Sequence, residues 1–170
     1  MQVLWTEEYP VFNGEFVSFD EICFEPKPVQ KPYPPIWIGG NSEAAMLRAV
    51  RYGDIWNPSM VPQSRLPTCL NYMKSLPEWN ERDRPLQFHL PVEQPNIDRD
   101  HTMTAPPGAR RWSTQELIDA VGELQELGVT WTTLPTRPDS CLNEHMDQLQ
   151  YLSEDVMTKF PDQRQKQKQT

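Results

Sequence analysis

Residues 34–50 read PPIWIGGNSEAAMLRAV, and the order of residue types in that stretch decides the fold. Two prolines hand the chain to a short apolar run, Ile36 to Ile38, which Gly39 and Gly40 close. A run that short, bounded by proline and glycine, predicts a buried strand. The residues that follow, 43–52, place Met46, Leu47 and Val50 on one helical face. Ser42 stands where an N-cap belongs, Glu43 suits the positive end, Arg48 and Arg51 suit the negative end, and Gly53 stops the helix. A strand that turns through two glycines into a capped helix leaves the backbone N–H groups of Gly40, Asn41 and Ser42 at a positive helix end. Phosphate oxygens can accept those hydrogens, and the glycines let them come close. On the pattern alone, a plain chain turn accounts for the glycines equally well. The spacing is not GxGxxG and no GK[ST] follows, so neither a dinucleotide fingerprint nor a P-loop is present.

Downstream the same alternation repeats. Residues 54–57 predict a second short strand, stopped by Pro58, and a weaker helical stretch follows between residues 62 and 76, interrupted at Pro67. LQFHL, residues 86–90, predicts a third strand. Residues 91–112 form a long irregular stretch of the kind that is a lid, a binding loop or a disordered segment. Ser113 and Glu116 make a capping box for a helix to Leu127, with Leu117, Val121 and Leu124 on one stripe. Gly128 ends it, residues 129–134 predict a fourth strand, and a last helix is expected over 142–159. The polar tail, residues 163–170, has nothing to bury.

Upstream, MQVLW predicts a helical turn stopped by Pro10, and VFNGEFVSF alternates about Asn13-Gly14, which predicts a hairpin. Residues 25–35, EPKPVQKPYPP, hold five prolines and predict a stiff connection. The whole is a leading segment, residues 1–35, and four strand-helix units over residues 36–160. Such units build a parallel sheet with ligand loops at the carboxyl ends of its strands, either as a small open sheet or as half a barrel.

Composition narrows the partners. The 170 residues carry a net charge of -8, which disfavours a nucleic-acid partner. No apolar run approaches the roughly 18 residues of a membrane span, and the N-terminus lacks the basic and apolar regions of a signal peptide, so a cytoplasmic location is expected. Cys23, Cys69 and Cys141 lack metal or disulfide spacing, and each is expected to be a reduced, buried small hydrophobe. His89, His101 and His145 lack the HxxxH spacing, so no metal is expected.

A few polar and aromatic residues are further candidates. His89 alternates with Phe88 and Leu90, which directs it either towards a barrel mouth or into a wall as a hydrogen-bonded structural residue. Arg137 follows the fourth strand, at the end where phosphate contacts gather, and either holds an anion or is solvated. Arg110 and Arg111 lie in the long loop, where they could cover an anionic ligand. Trp56 and Trp131 are placed either to stack on a planar cofactor or to pack a core.

FNGEFVSF, PKPVQKPYPPIWIGG, SEAAMLRAVRYGD and IWNP together resemble the luciferase-like flavin and deazaflavin oxidoreductases, which include bacterial luciferase alpha chains, alkane-type monooxygenases and coenzyme F420-dependent enzymes. The resemblance is strong through residue 58 and topological beyond it. It implies an α/β, TIM-barrel-like fold truncated to its last four strand-helix units, with residues 1–162 as the family's C-terminal half barrel. It implies a flavin- or F420-dependent oxidoreductase or monooxygenase acting on a small organic substrate, with the cofactor either F420 or FMN. The tryptophan-rich motifs are more similar to those of the F420 branch. Gly39 and Gly40 match the family's glycines near the cofactor phosphate, Asn41 and Ser42 extend that cradle, and Asp54 and Trp56 match a GDGW motif whose glycine is Ile55 here. Arg137 is a candidate for the anionic side of the cofactor; no catalytic residue is assigned. A half barrel implies a second copy or a complementary half as partner, and a noncatalytic flavoprotein-like or interaction module is the alternative.

Overall fold

A computed structural model describes residues 1–20, 22–92, 113–134 and 141–160. Arg137, Arg110, Arg111, His101, the loop 93–112 and the tail 163–170 lie outside the described residues, as does the domain boundary expected at residue 162. The chain opens with a short helix, α1 (Gln2–Thr6), and an antiparallel ribbon of β1 (Phe12–Asn13) and β2 (Ser18–Phe19). Phe12 faces Phe19 across that ribbon with ring centroids 5.8 Å apart, and the Gly14 N–H closes the loop on the Val17 carbonyl at 2.9 Å. Asn13 therefore belongs to the strand, and the turn occupies residues 14–17.

A three-stranded parallel sheet follows, in the order β3 (Trp37–Gly39), β4 (Ile55–Asn57), β5 (Gln87–Phe88). Helix α2 (Glu43–Tyr52) joins the first two strands and α3 (Leu66–Ser75) the last two. Ser42 caps α2 by accepting the Ala45 N–H at 3.2 Å, as its sequence position demands. Pro67 does not interrupt α3: it occupies the second position of the helix, where a missing N–H costs nothing because no intrahelical acceptor exists for it. Helix α4 (Thr114–Glu126) starts in the full capping box of Ser113 and Glu116. The last helical stretch is not uniform; α5 (Leu142–Tyr151) continues as a π-helical segment, Leu152–Val156, and a 3-10 turn, Met157–Lys159.

The register sets two faces. Ile38, Trp56 and Phe88 lie in one row across the sheet and face the helices, where Met46, Val50, Leu66, Met73 and Leu124 bury against them. A smaller cluster joins Leu117 of α4 to Leu152 and Val156. Cys69 packs in the main core, whereas Cys23 and Cys141 are exposed, contrary to the expectation of three buried thiols.

The expected half barrel is corrected here. The chain forms an α/β arrangement with two small sheets, and the described strands make neither a closed barrel nor a curled sheet. The expected fourth strand is a single parallel bridge, His89 with Trp131. Its local cause is Thr130, whose hydroxyl accepts the Phe88 N–H at 3.0 Å and so takes a donor that a regular ladder would pair with backbone. Beyond it, the Leu90 N–H still reaches the Trp131 carbonyl and the Val92 N–H the Thr133 carbonyl, both at 3.1 Å, so residues 131–133 track β5 without forming a full strand. Among the described residues no helix is long and apolar enough to cross a membrane.

Candidate functional site

The carboxyl end of the parallel sheet carries two adjoining features. The first is the turn out of β3. Gly40 has φ +103°, a conformation open to glycine and strained for residues with a side chain. A Cβ there would meet the Ala45 Cβ at 2.9 Å, whereas a Cβ on Gly39 would meet only the Asn57 carbonyl, at 3.8 Å. The Asn41 amide donates to the Ser59 carbonyl at 3.0 Å, tying this turn to the one after β4. Trp56 is wholly buried, and its Nε1–H donates to the Gly40 carbonyl at 2.9 Å. Gly39, Gly40, Asn41 and Ser42 are thus brought together at the N-terminus of α2, and Trp56 supports the turn from behind.

The second feature is the sheet face turned away from the helices. Trp37, Ile55 and Gln87 lie in one row; Gly39 and Asn57 lie in the next, where His89 continues β5. His89 and Phe88 project to opposite faces, because strand side chains alternate. Phe88 and Leu90 are buried, while His89 is half-buried and held at both ring nitrogens. Nδ1 lies 2.7 Å from Asn57 Oδ1, and Nε2 lies 2.7 Å from Thr133 Oγ1. Burial pushes the imidazole below its ordinary pKa, since the neutral ring loses less on leaving water.

Two indoles border that row. Trp37 reaches across β4 to bring its ring within 5.4 Å of the His89 ring and 5.7 Å of Trp131. Trp131 is in turn fixed by its Nε1–H, which donates to the Gln87 amide oxygen. Trp37 is 44% exposed, so this face offers aromatic surface to a ligand. Asn57, Thr133, Gln87 and Trp37 were not singled out from the sequence, because the partners of His89 stand 32 and 44 residues away along the chain.

The opposite end of the sheet holds a cavity of about 600 Å³ between Tyr33, Arg51, Glu78, Arg82 and Arg84. Its cations are committed to structure. Arg84 pairs with Asp54 at 3.1 Å, Arg51 pairs with Glu78, and Arg82 donates to the carbonyls of Val50 and Gly53 at the end of α2. Asp54 also accepts the Ile36 N–H at 2.9 Å, which makes this Asp a brace for the start of β3.

The profile of the luciferase-like monooxygenases matches residues 1–92. The chain belongs to that family. The matched region lies in the N-terminal half of the chain, so the expected correspondence of the whole chain with the family's C-terminal half is corrected. The FMNH2-dependent dimethylsulfone monooxygenase of Pseudomonas putida is 41% identical over 51 residues, which are 30% of this chain and 14% of that protein. The crystal structure of the monooxygenase RslO1 from Streptomyces bottropensis superposes with a TM-score of 0.63 over 94% of this chain and 58% of its own, at 15% identity. That likeness is one of fold. The luciferase-like chain described here therefore spans less than two thirds of either protein.

Proposed function

We propose that this chain is the cofactor-phosphate side of a flavin-dependent monooxygenase acting on a small organic substrate, with the phosphate held at Gly39, Gly40, Asn41 and Ser42. The observation that carries the proposal is the turn after β3: Gly40 adopts φ +103°, which delivers the chain within two residues into the Ser42-capped N-terminus of α2, and a Cβ on Gly39 would meet only the Asn57 carbonyl, at 3.8 Å. When bound, the reduced flavin would supply the electrons that activate dioxygen. The protein's own part is positional: the α2 N-terminus neutralises the phosphate, Trp56 fixes the Gly40 carbonyl, and Asn41 ties the turn to Ser59. Arg137 is the proposed additional partner of the anion.

FMN is favoured over F420. The Pseudomonas putida relative is FMNH2-dependent, and of the two tryptophan motifs, IWIGG and IWNP, that suggested the F420 branch, the second places its Trp56 indole wholly within the core. Calorimetric titration of the full chain with FMN and with F420 tests this. Saturable binding of FMN, weaker or absent for F420, is expected; binding of neither overturns the proposal and leaves an interaction module as the reading.

A second copy of the chain is the proposed macromolecular partner. Phe16 and Val17 at the ribbon tip are 90% and 59% exposed, and Val11 and Phe12 beside them are also exposed, an apolar cluster that association would cover. Light scattering should return a mass above that of one chain, and a strictly single-chain mass at high concentration would refute it.

A further inference from the structure

We infer that Thr133, backed by His89, is a binding point for a substrate that donates a hydrogen bond, and that the Trp37 and Trp131 rings seat the planar part of the same ligand. The inference rests on the proposal that this end of the sheet is the active side of a monooxygenase, and it adds what chemistry the substrate must carry. Asn57 Oδ1 is an amide oxygen and can only accept, so the 2.7 Å contact to His89 Nδ1 requires the hydrogen to sit on Nδ1. In the neutral ring Nε2 is then a bare lone pair. The 2.7 Å contact to Thr133 Oγ1 is therefore a bond donated by the Thr133 hydroxyl to Nε2. With its one hydrogen spent on His89, the exposed Thr133 oxygen offers a ligand lone pairs alone. An O–H or N–H group satisfies it, and a bare carbonyl or ether oxygen is repelled.

Protonation reverses the preference. In the cation Nε2–H donates to Thr133 Oγ1, and the threonine hydrogen turns outward as a donor. The ordinary state near neutral pH is the neutral ring, because burial holds the pKa below its usual value. Among the described residues, the strands around His89 bring Trp37, Asn57, Gln87, Trp131 and Thr133 to this face, and none of these side chains is charged. Asp54, the nearest acid in the strand sequence, is held at the other end of the sheet by Ile36 and Arg84.

Phenol and anisole serve as probes, two planar rings of which only the first donates. Binding to the full chain is read by chemical-shift titration, with the His89 imidazole nitrogens assigned through His89→Gln. At pH 8 phenol is expected to bind about fivefold more tightly than anisole, the worth of one hydrogen bond. Nitrogen shifts should report hydrogen on Nδ1. Thr133→Val should bind both probes equally, and lowering the pH through the His89 titration should remove the phenol preference in the unaltered chain. Equal binding of both probes at pH 8, hydrogen on Nε2, or a preference retained in Thr133→Val would each overturn the inference. Failure of FMN to bind with the phenol preference intact would instead refute the proposed cofactor and leave this site standing.

Discussion

Replacing Trp56 by alanine is expected to destabilise the chain by about 3–5 kcal/mol, the usual cost of emptying a wholly buried tryptophan site. A domain of this size has a total stability of about 5–15 kcal/mol, so the variant should sit close to unfolding at room temperature. The indole is 0% exposed, lies in register between Ile38 and Phe88, and makes an edge-on contact with Phe88 at 6.4 Å. Its neighbours come from three directions: β3, β5 and the helices that cover the sheet, so none can collapse into the gap without leaving another. Trp56→Phe separates the two parts of the loss. It retains most of the packing and removes the Nε1–H that the Gly40 carbonyl accepts, and should cost about 1–3 kcal/mol. Denaturant unfolding of both variants measures this, and a midpoint unchanged in Trp56→Ala would mean that the tryptophan is not in the core.

The helix starts were legible because they are written locally. Ser42 with Glu43 and Ser113 with Glu116 each specify an N-terminus within four residues, and both caps form where the residue types place them. The three strands of the parallel sheet were legible within one or two residues at each end, since proline and glycine bound each apolar run. What failed depends on distance along the chain. Residues 129–134 have a strand's composition, yet the Thr130 hydroxyl competes for the Phe88 N–H, a contact 42 residues away that no local pattern announces. The half barrel was an extension of the family layout past residue 58, and two small sheets stand in its place. Trp56 and His89 show the same limit in reverse. Each was a candidate from its residue type, but which face each occupies follows from register: Trp56 sits in the buried row with Phe88, and His89 stands one residue on, facing away from the core with Asn57 and Thr133.

Gly40→Val is expected to abolish FMN binding and to weaken the fold as well. The residue has φ +103°, where a β-branched side chain is severely disfavoured, and its Cβ would stand 2.9 Å from the Ala45 Cβ in the first turn of α2. The turn must move, and with it the N–H groups proposed to hold the phosphate. The carbonyl that accepts the Trp56 indole N–H belongs to the same residue, so the shift reaches the core. Loss of affinity alone would therefore confuse a broken cradle with a broken fold. Two neighbours resolve them. Gly39 lies outside the positive-φ region and a Cβ there would meet only the Asn57 carbonyl at 3.8 Å, so Gly39→Val keeps the fold while adding two methyl groups beside the proposed cradle; near-native stability with strongly reduced FMN affinity is the expected result. Ser42→Ala removes the hydroxyl that accepts the Ala45 N–H, at about 1 kcal/mol of stability, but leaves the backbone donors in place, so FMN affinity should fall only modestly. Calorimetric titration with FMN, run beside denaturant unfolding for all three variants, reads both quantities. Unchanged affinity in Gly39→Val would put the phosphate somewhere other than the turn after β3, whatever Gly40→Val does to the fold.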